Sequence, residues 1–133
     1  MDCPVCDAST VTFAVPGAYR DHAPDAGDAT GLCPSCLTLT PVDVDVPPVD
    51  EADFSRIIEA FPEGEAGVAM ALAVGLLVDS LVLNRDAIEA LFEAVSDAGE
   101  DPWLVLERLH VAGSVQPDAD LQKARHQLEQ LWR

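Results

Sequence analysis

Every cysteine of the 133-residue chain lies in one of two matching quartets, Cys3-Pro4-Val5-Cys6 and Cys33-Pro34-Ser35-Cys36, with 26 residues between Cys6 and Cys33. Two thiolates spaced by two residues reach one ion from a single tight turn, and a second such turn completes a tetrahedron with metal–sulfur distances near 2.3 Å. Proline after the first cysteine pre-sets φ for the turn and removes one N–H. The remaining N–H groups of each turn are then free to point at sulfur. The spacing therefore predicts a four-cysteine site of Cys3, Cys6, Cys33 and Cys36 holding structural zinc. Iron is the chemical runner-up, because four thiolates also suit it.

Two other uses of the same residues compete with this one. A pair of disulfides suits a secreted chain, but the start Met-Asp-Cys-Pro has neither a basic nor an apolar leader segment. A redox-active Cys-x-x-Cys pair usually opens a helix, whereas Thr10–Val15 and Leu37–Val42 read as strands. Metal knuckles often carry glycine just after the second cysteine, where φ is positive. Asp7 and Leu37 stand there instead. Aspartate tolerates that conformation and leucine does so poorly, so a distorted second knuckle is expected. A four-cysteine shell has no open coordination position and so offers no activated water; its work is folding.

The charge balance bears on partners. Against 24 Asp and Glu stand 7 Lys and Arg, a formal charge of −17, with Lys123 the single lysine. By segment the net charge is −4 over 1–42, −7 over 43–65, −6 over 66–116 and zero over 117–133. Nucleic acid and anionic lipid are both held through Lys and Arg, so this balance disfavours them as partners. Acidity spread along the whole chain self-repels in dilute buffer. Molar salt shortens the Debye length to about 3 Å and screens that repulsion. A salt-filled cytoplasm is the expected setting. The longest uncharged apolar run, Ala66 to Val78, is 13 residues; a membrane span needs about 20.

With 49% apolar residues the chain can fill a core. Between the knuckles, Val11, Phe13 and Val15 alternate as a half-buried strand, and Leu37, Leu39 and Val42 face it from a second one. The acidic, turn-rich stretch Gly17 to Gly31 reads as a loop carrying a solvated His22. Residues 43–49, with the prolines of PVDVDVPPV around them, read as a linker between a ribbon at 1–42 and a helical bundle at 50–133. The expected fold class is α+β: a small ribbon of two or three antiparallel strands, then about five helices. Asp50 caps the first, with Phe54, Ile57, Ile58 and Phe61 as its stripe; the second runs from about Glu63 to Leu83. Asn84 caps the third, with Ile88, Leu91, Phe92 and Val95 inward and Gly99 at its end. Asp101-Pro102 opens the fourth, which carries Trp103, Leu104, Leu106 and Leu109 and stops near Gly113. Pro117-Asp118 opens the fifth, with Leu121, Ala124, Leu128 and Leu131 inward.

Catalytic sets are missing from the sequence. His110 and His126 fall on separate helices and in no spaced ligand motif, and no phosphate loop or nucleophile elbow occurs. Paired acids such as Glu51/Asp53 and Glu63/Glu65 suit the first turns of helices. Asp79, near a helix C-terminus, is the odd acid and calls for a cation, with Arg85 the nearest candidate. Gly67, Ala71 and Gly75 form a smooth stripe that fits tight packing within the chain or a homodimer seam.

The paired Cys-Pro-x-Cys knuckles, FAVP (13–16), HAPD (22–25), FPEGEAGVAMAL (61–72), LVLNR (81–85) and RHQLEQL (125–131) resemble an uncharacterised haloarchaeal family of small proteins with an N-terminal zinc ribbon and a helical C-terminal part. The resemblance implies a haloarchaeal cytoplasm and supplies no activity. The expectation is a non-enzymatic structural-zinc protein that docks to a protein partner or to itself, with the near-neutral last helix (Lys123, Arg125, His126) as the least repulsive face. Association with nucleic acid or the ribosome through the ribbon is the alternative, followed by an enzyme of unrecognised type.

Overall fold

The computed structural model describes residues 2–23, 27–42, 45–112, 115 and 121–131. Its N-terminal part is a three-stranded antiparallel sheet in the order β1 (Val11–Ala14), β2 (Ala29–Leu32), β3 (Leu39–Pro41). Val11 pairs with Leu32 and Leu32 with Leu39. Among the described residues four α-helices follow: α1 (Gly64–Ser80), α2 (Arg85–Asp97), α3 (Pro102–Val111) and α4 (Leu121–Leu131). The fold is the α+β arrangement expected from the pattern.

The middle strand is the main departure. Residues 29–31 fall in the stretch Gly17 to Gly31 expected as loop, and β3 pairs with β2 instead of facing β1 directly. All four residues of β2 are buried, so Ala29-Thr30-Gly31-Leu32 shows no apolar alternation to betray a strand. Gly31 suits the centre of the sheet: a Cβ there would stand 3.3 Å from Thr10 Oγ1 and 3.5 Å from Val42. Gly17–His22, also inside the expected loop, forms a 3₁₀ turn.

The first expected helix is replaced by two 3₁₀ turns, Val49–Glu51 and Phe54–Arg56. Its stripe is still used, since Phe54, Ile57 and Phe61 are buried. Eleven residues are marginal for a helix alone, and Pro62 disfavours helical backbone at Phe61. The Asp53 carboxylate takes the Ser55 hydroxyl instead of capping.

Helix α1 is buried on almost every side from Gly67 to Gly75 and lies at the centre of the molecule. Its small-residue stripe is filled from within the chain. A Cβ on Gly67 would meet the Pro62 carbonyl oxygen at 2.5 Å and the Phe54 ring at 2.6 Å, and one on Gly75 would run into the Leu39 side chain. Phe54 also stacks between Phe13 of β1 and Phe61, with ring centroids 5.3 and 5.8 Å apart. One continuous apolar cluster thus takes in Val11, Phe13 and Leu32 of the sheet and Leu37 of the second cysteine turn together with residues of all four of these helices. The ribbon packs on the helices; Arg56 reinforces this by donating to the carbonyls of Ser9 and Thr10 at 3.1 and 3.3 Å.

The remaining helices follow their patterns. Ile88, Leu91, Phe92 and Val95 of α2 are buried, and Phe92 meets Trp103 of α3 edge-on at 5.3 Å. The Asp101 carboxylate caps α3 by accepting from the N–H groups of Trp103 and Leu104. In α4, Leu121, Ala124 and Leu128 point inward while Leu131 is half exposed, contrary to expectation. Two helix ends also differ. Helix α1 stops at Ser80, and Asn84 makes no side-chain cap to α2; its amide donates back to the Leu76 carbonyl at 3.0 Å and to Asp79 Oδ2 at 3.4 Å. Arg85 lies 4.0 Å from Asp86, so the expected Asp79–Arg85 pair is not formed. Pro24 and Asp25 of HAPD, Asp43 and Val44 of the linker, Gly113 and Pro117-Asp118 lie outside the described residues. Among the described residues, no helix is long and apolar enough to cross a membrane.

Candidate metal centre

Each knuckle is a short turn closed by its own backbone. Cys3 N donates to the Ala8 carbonyl at 2.8 Å and Asp7 N to the Cys3 carbonyl at 2.9 Å; Cys33 N donates to Thr38 and Leu37 N to Cys33, both at 3.0 Å. The residue after the second cysteine is left-handed in both, φ 63° at Asp7 and 61° at Leu37. The second knuckle is therefore built like the first, and the expected distortion is absent. A leucine in this region costs roughly 1–2 kcal/mol. Leu37 is held there because its side chain is fully buried in the main core.

The first knuckle precedes β1 and the second joins β2 to β3, so the sheet brings the two turns to one end. There the four sulfurs converge, all within 4.8 Å of one another. Cys3 Sγ lies 3.6 Å from Cys36 Sγ, and Cys6 Sγ lies 3.3 Å from Cys33 and 3.7 Å from Cys36. A tetrahedron with bonds of about 2.3 Å has sulfur–sulfur edges of about 3.8 Å, so the cluster is of the right size for one ion. A disulfide requires about 2.05 Å, and all four cysteines are free thiols. Neither knuckle opens a helix, which removes the structural setting of a redox pair.

The surroundings suit thiolate. Val5 N donates to Cys3 Sγ and Cys36 N to Cys33 Sγ, each at 3.4 Å, and the Thr38 hydroxyl lies 3.1 Å from Cys36 Sγ. Cys3, Cys33 and Cys36 are buried and Cys6 is exposed. Burial pushes the Cys33 thiol from its usual 9.0 up to about 12, against the lowering pull of the Cys36 and Ser35 backbone N–H groups. A thiol so placed keeps its proton near neutrality unless a cation replaces it. The donor set, its spacing and its burial fit a metal ion that takes four sulfurs and leaves no position for substrate or water.

The histidines are not gathered into this centre. Among the described residues the four cysteines are the one group of His, Cys, Asp or Glu side chains that converges on a point. His110 and His126 are exposed on α3 and α4, and His126 pairs with Gln130 at 3.2 Å. His22 and Asp79, read separately in the sequence as loop and helix residues, line one cleft between the ribbon and the α1–α2 junction. No local spacing signals that juxtaposition, because it depends on how the ribbon docks.

No curated protein and no solved structure matches the chain. A family model matches residues 2–132, which takes in both knuckles and all four helices. The resemblance to an uncharacterised family is met at that level, and the chain belongs to DUF6276, a family of unknown function.

Proposed function

We propose that this is a non-enzymatic protein stabilised by structural zinc at Cys3, Cys6, Cys33 and Cys36, serving as a protein-docking module in a high-salt cytoplasm. The observation that carries the reading is the closed cage of four thiols, one of whose loops is anchored in the core through Leu37. Zinc is favoured over iron as the ion that brings structure without redox chemistry. The binding free energy of such an ion, on the order of 10–16 kcal/mol in small fingers, would lock the knuckle turns and so the sheet. The role as a docking module is supported by charge. Arg56 and Arg20 near the ribbon are committed to backbone carbonyls, leaving an acidic surface ill suited to nucleic acid. Helix α4 carries Lys123, Arg125 and His126 and is the segment least repulsive to an acidic partner. A charge of −17 spread along the chain supports the salt-rich, haloarchaeal setting.

The test is purification from a lysate kept in molar KCl, with metal analysis and identification of bound protein in the same sample. About one zinc per chain, lost in Cys33→Ser, together with a stoichiometric protein partner, is expected. Iron, a metal-free folded chain, or a gel shift of nucleic acid at that salt concentration would overturn the corresponding part of the reading.

A further inference from the structure

The four thiols of the cage are not equivalent. Val5 N donates to Cys3 Sγ, Cys36 N donates to Cys33 Sγ, and the Thr38 hydroxyl lies against Cys36 Sγ. Among the described residues no N–H or hydroxyl reaches Cys6 Sγ, whose neighbours are the sulfurs of Cys33 at 3.3 Å and Cys36 at 3.7 Å. Cys6 is also the exposed member of the set, the other three being buried.

Both differences bear on reactivity. A donor on a thiolate stabilises its negative charge and so blunts its attack on an electrophile. A buried sulfur is shielded from an oxidant in water. A bound metal ion holds all four ligands as thiolates, so access and hydrogen bonding are what separate them, and both single out Cys6. Anchorage is unequal too. The turn at 33–36 joins β2 to β3 and is pinned by the buried Leu37. The turn at 3–6 has its flanks joined by the isolated Asp2–Ser9 bridge, and Asp7, the counterpart of Leu37, is exposed. The first turn is therefore the one that yields when a ligand is altered.

We infer that Cys6, with zinc bound as proposed above, is a site of oxidation by hydroperoxides, and that Cys33 then captures it in a disulfide across the two turns. In the first step the Cys6 thiolate attacks the peroxide: an S–O bond forms, the O–O bond breaks, and the alkoxide or hydroxide that leaves takes a proton from water. Sulfur is oxidised by two electrons to the sulfenic acid and the peroxide is reduced. In the second step the Cys33 thiolate attacks Cys6 sulfur; the S–S bond forms, the S–O bond breaks, and the departing hydroxide takes a second proton from solvent. Two thiolates, one hydroperoxide and two protons thus become a disulfide, an alcohol (or water) and water. The metal keeps its charge throughout but loses two of its four ligands and is released. The pair spans the two turns and so differs from a redox pair within one Cys-x-x-Cys.

The test adds hydrogen peroxide to the full-length protein, first shown to hold zinc, at constant molar KCl, and reads zinc release with a chromophoric chelator. Metal content before peroxide tests the zinc reading, and the response to peroxide tests this one. Zinc release in proportion to peroxide consumed is expected, with uptake restored by dithiothreitol. Dimedone present with the peroxide is expected to label Cys6, and without dimedone non-reducing peptide mapping is expected to find Cys6 joined to Cys33. Cys6→His keeps a zinc ligand and removes the oxidisable sulfur; it is expected to release zinc at least about 10-fold more slowly than the parent. Where Cys6→His fails to hold zinc, the position of the dimedone label in the parent decides. A label on Cys3, Cys33 or Cys36 in place of Cys6, a disulfide within one turn, zinc retained under excess peroxide, or release from Cys6→His as fast as from the parent would overturn the proposal.

Discussion

The two knuckles give the same backbone to two very different residues, so replacing each by glycine separates backbone strain from burial. At Asp7 the side chain is exposed and φ is 63°. Asp7→Gly relieves the left-handed conformation, while the glycine also frees the unfolded chain, so stability is expected to stay within about 1 kcal/mol of the parent. At Leu37 φ is 61° but the side chain is fully buried. Leu37→Gly recovers roughly 1–2 kcal/mol of strain, forfeits about 2–5 kcal/mol of buried leucine and loses about 0.5–1 kcal/mol more to the freer unfolded chain, a net loss of roughly 0.5–5 kcal/mol. Urea unfolding of the metal-loaded proteins at one fixed salt concentration measures both. A Leu37→Gly variant as stable as Asp7→Gly would refute the claim that the second metal loop is anchored by the core.

Gly67→Ala is expected to destabilise by up to about 2 kcal/mol, because a clash with the Pro62 carbonyl and the Phe54 ring, typically 1–3 kcal/mol, offsets or outweighs the gain of roughly 1 kcal/mol in helix propensity; a stabilised variant in thermal melts would contradict the packing described. Asp101→Ala removes the acceptor for Trp103 and Leu104 and is expected to cost about 1 kcal/mol, with Asp101→Asn largely restoring it. The thiol of Cys33 holds its proton up to about pH 12 without a cation, so metal uptake must expel that proton. Affinity measured against a chromophoric chelator is therefore expected to fall as pH is lowered from 8 to 6, by at least about 10-fold per pH unit; a flat profile would contradict the assignment of Cys33 as a ligand.

The sequence carried most of what chemistry and periodicity can encode. The knuckles were legible because thiol spacing is fixed by the geometry of one ion. Helices α1, α2 and α3 were legible because each has an apolar pattern and a breaker or cap such as Pro62, Gly99 or Asp101. Strand β2 was hidden because a strand buried on both faces and made of Ala, Thr, Gly and Leu has no period to detect. The stripe Phe54, Ile57 and Phe61 reported burial correctly and backbone incorrectly, since two 3₁₀ turns can present the same residues. Asp79 by its place near a helix end calls for a cation, and the structure gives it Asn84 in place of Arg85. The cleft it lines depends on contacts distant in sequence, which no local pattern specifies.

The shared core also sets an order of events during synthesis. The ribbon leaves the ribosome first, yet Phe13, Leu32 and Leu37 belong to a cluster completed by α1, which ends at Ser80. At 5–20 residues per second, the stretch from Val42 to Ser80 takes about 2–8 s to make. For that interval the nascent ribbon carries its cysteines and its exposed apolar face together. It is then both most accessible to metal and most open to misassembly with a neighbouring chain.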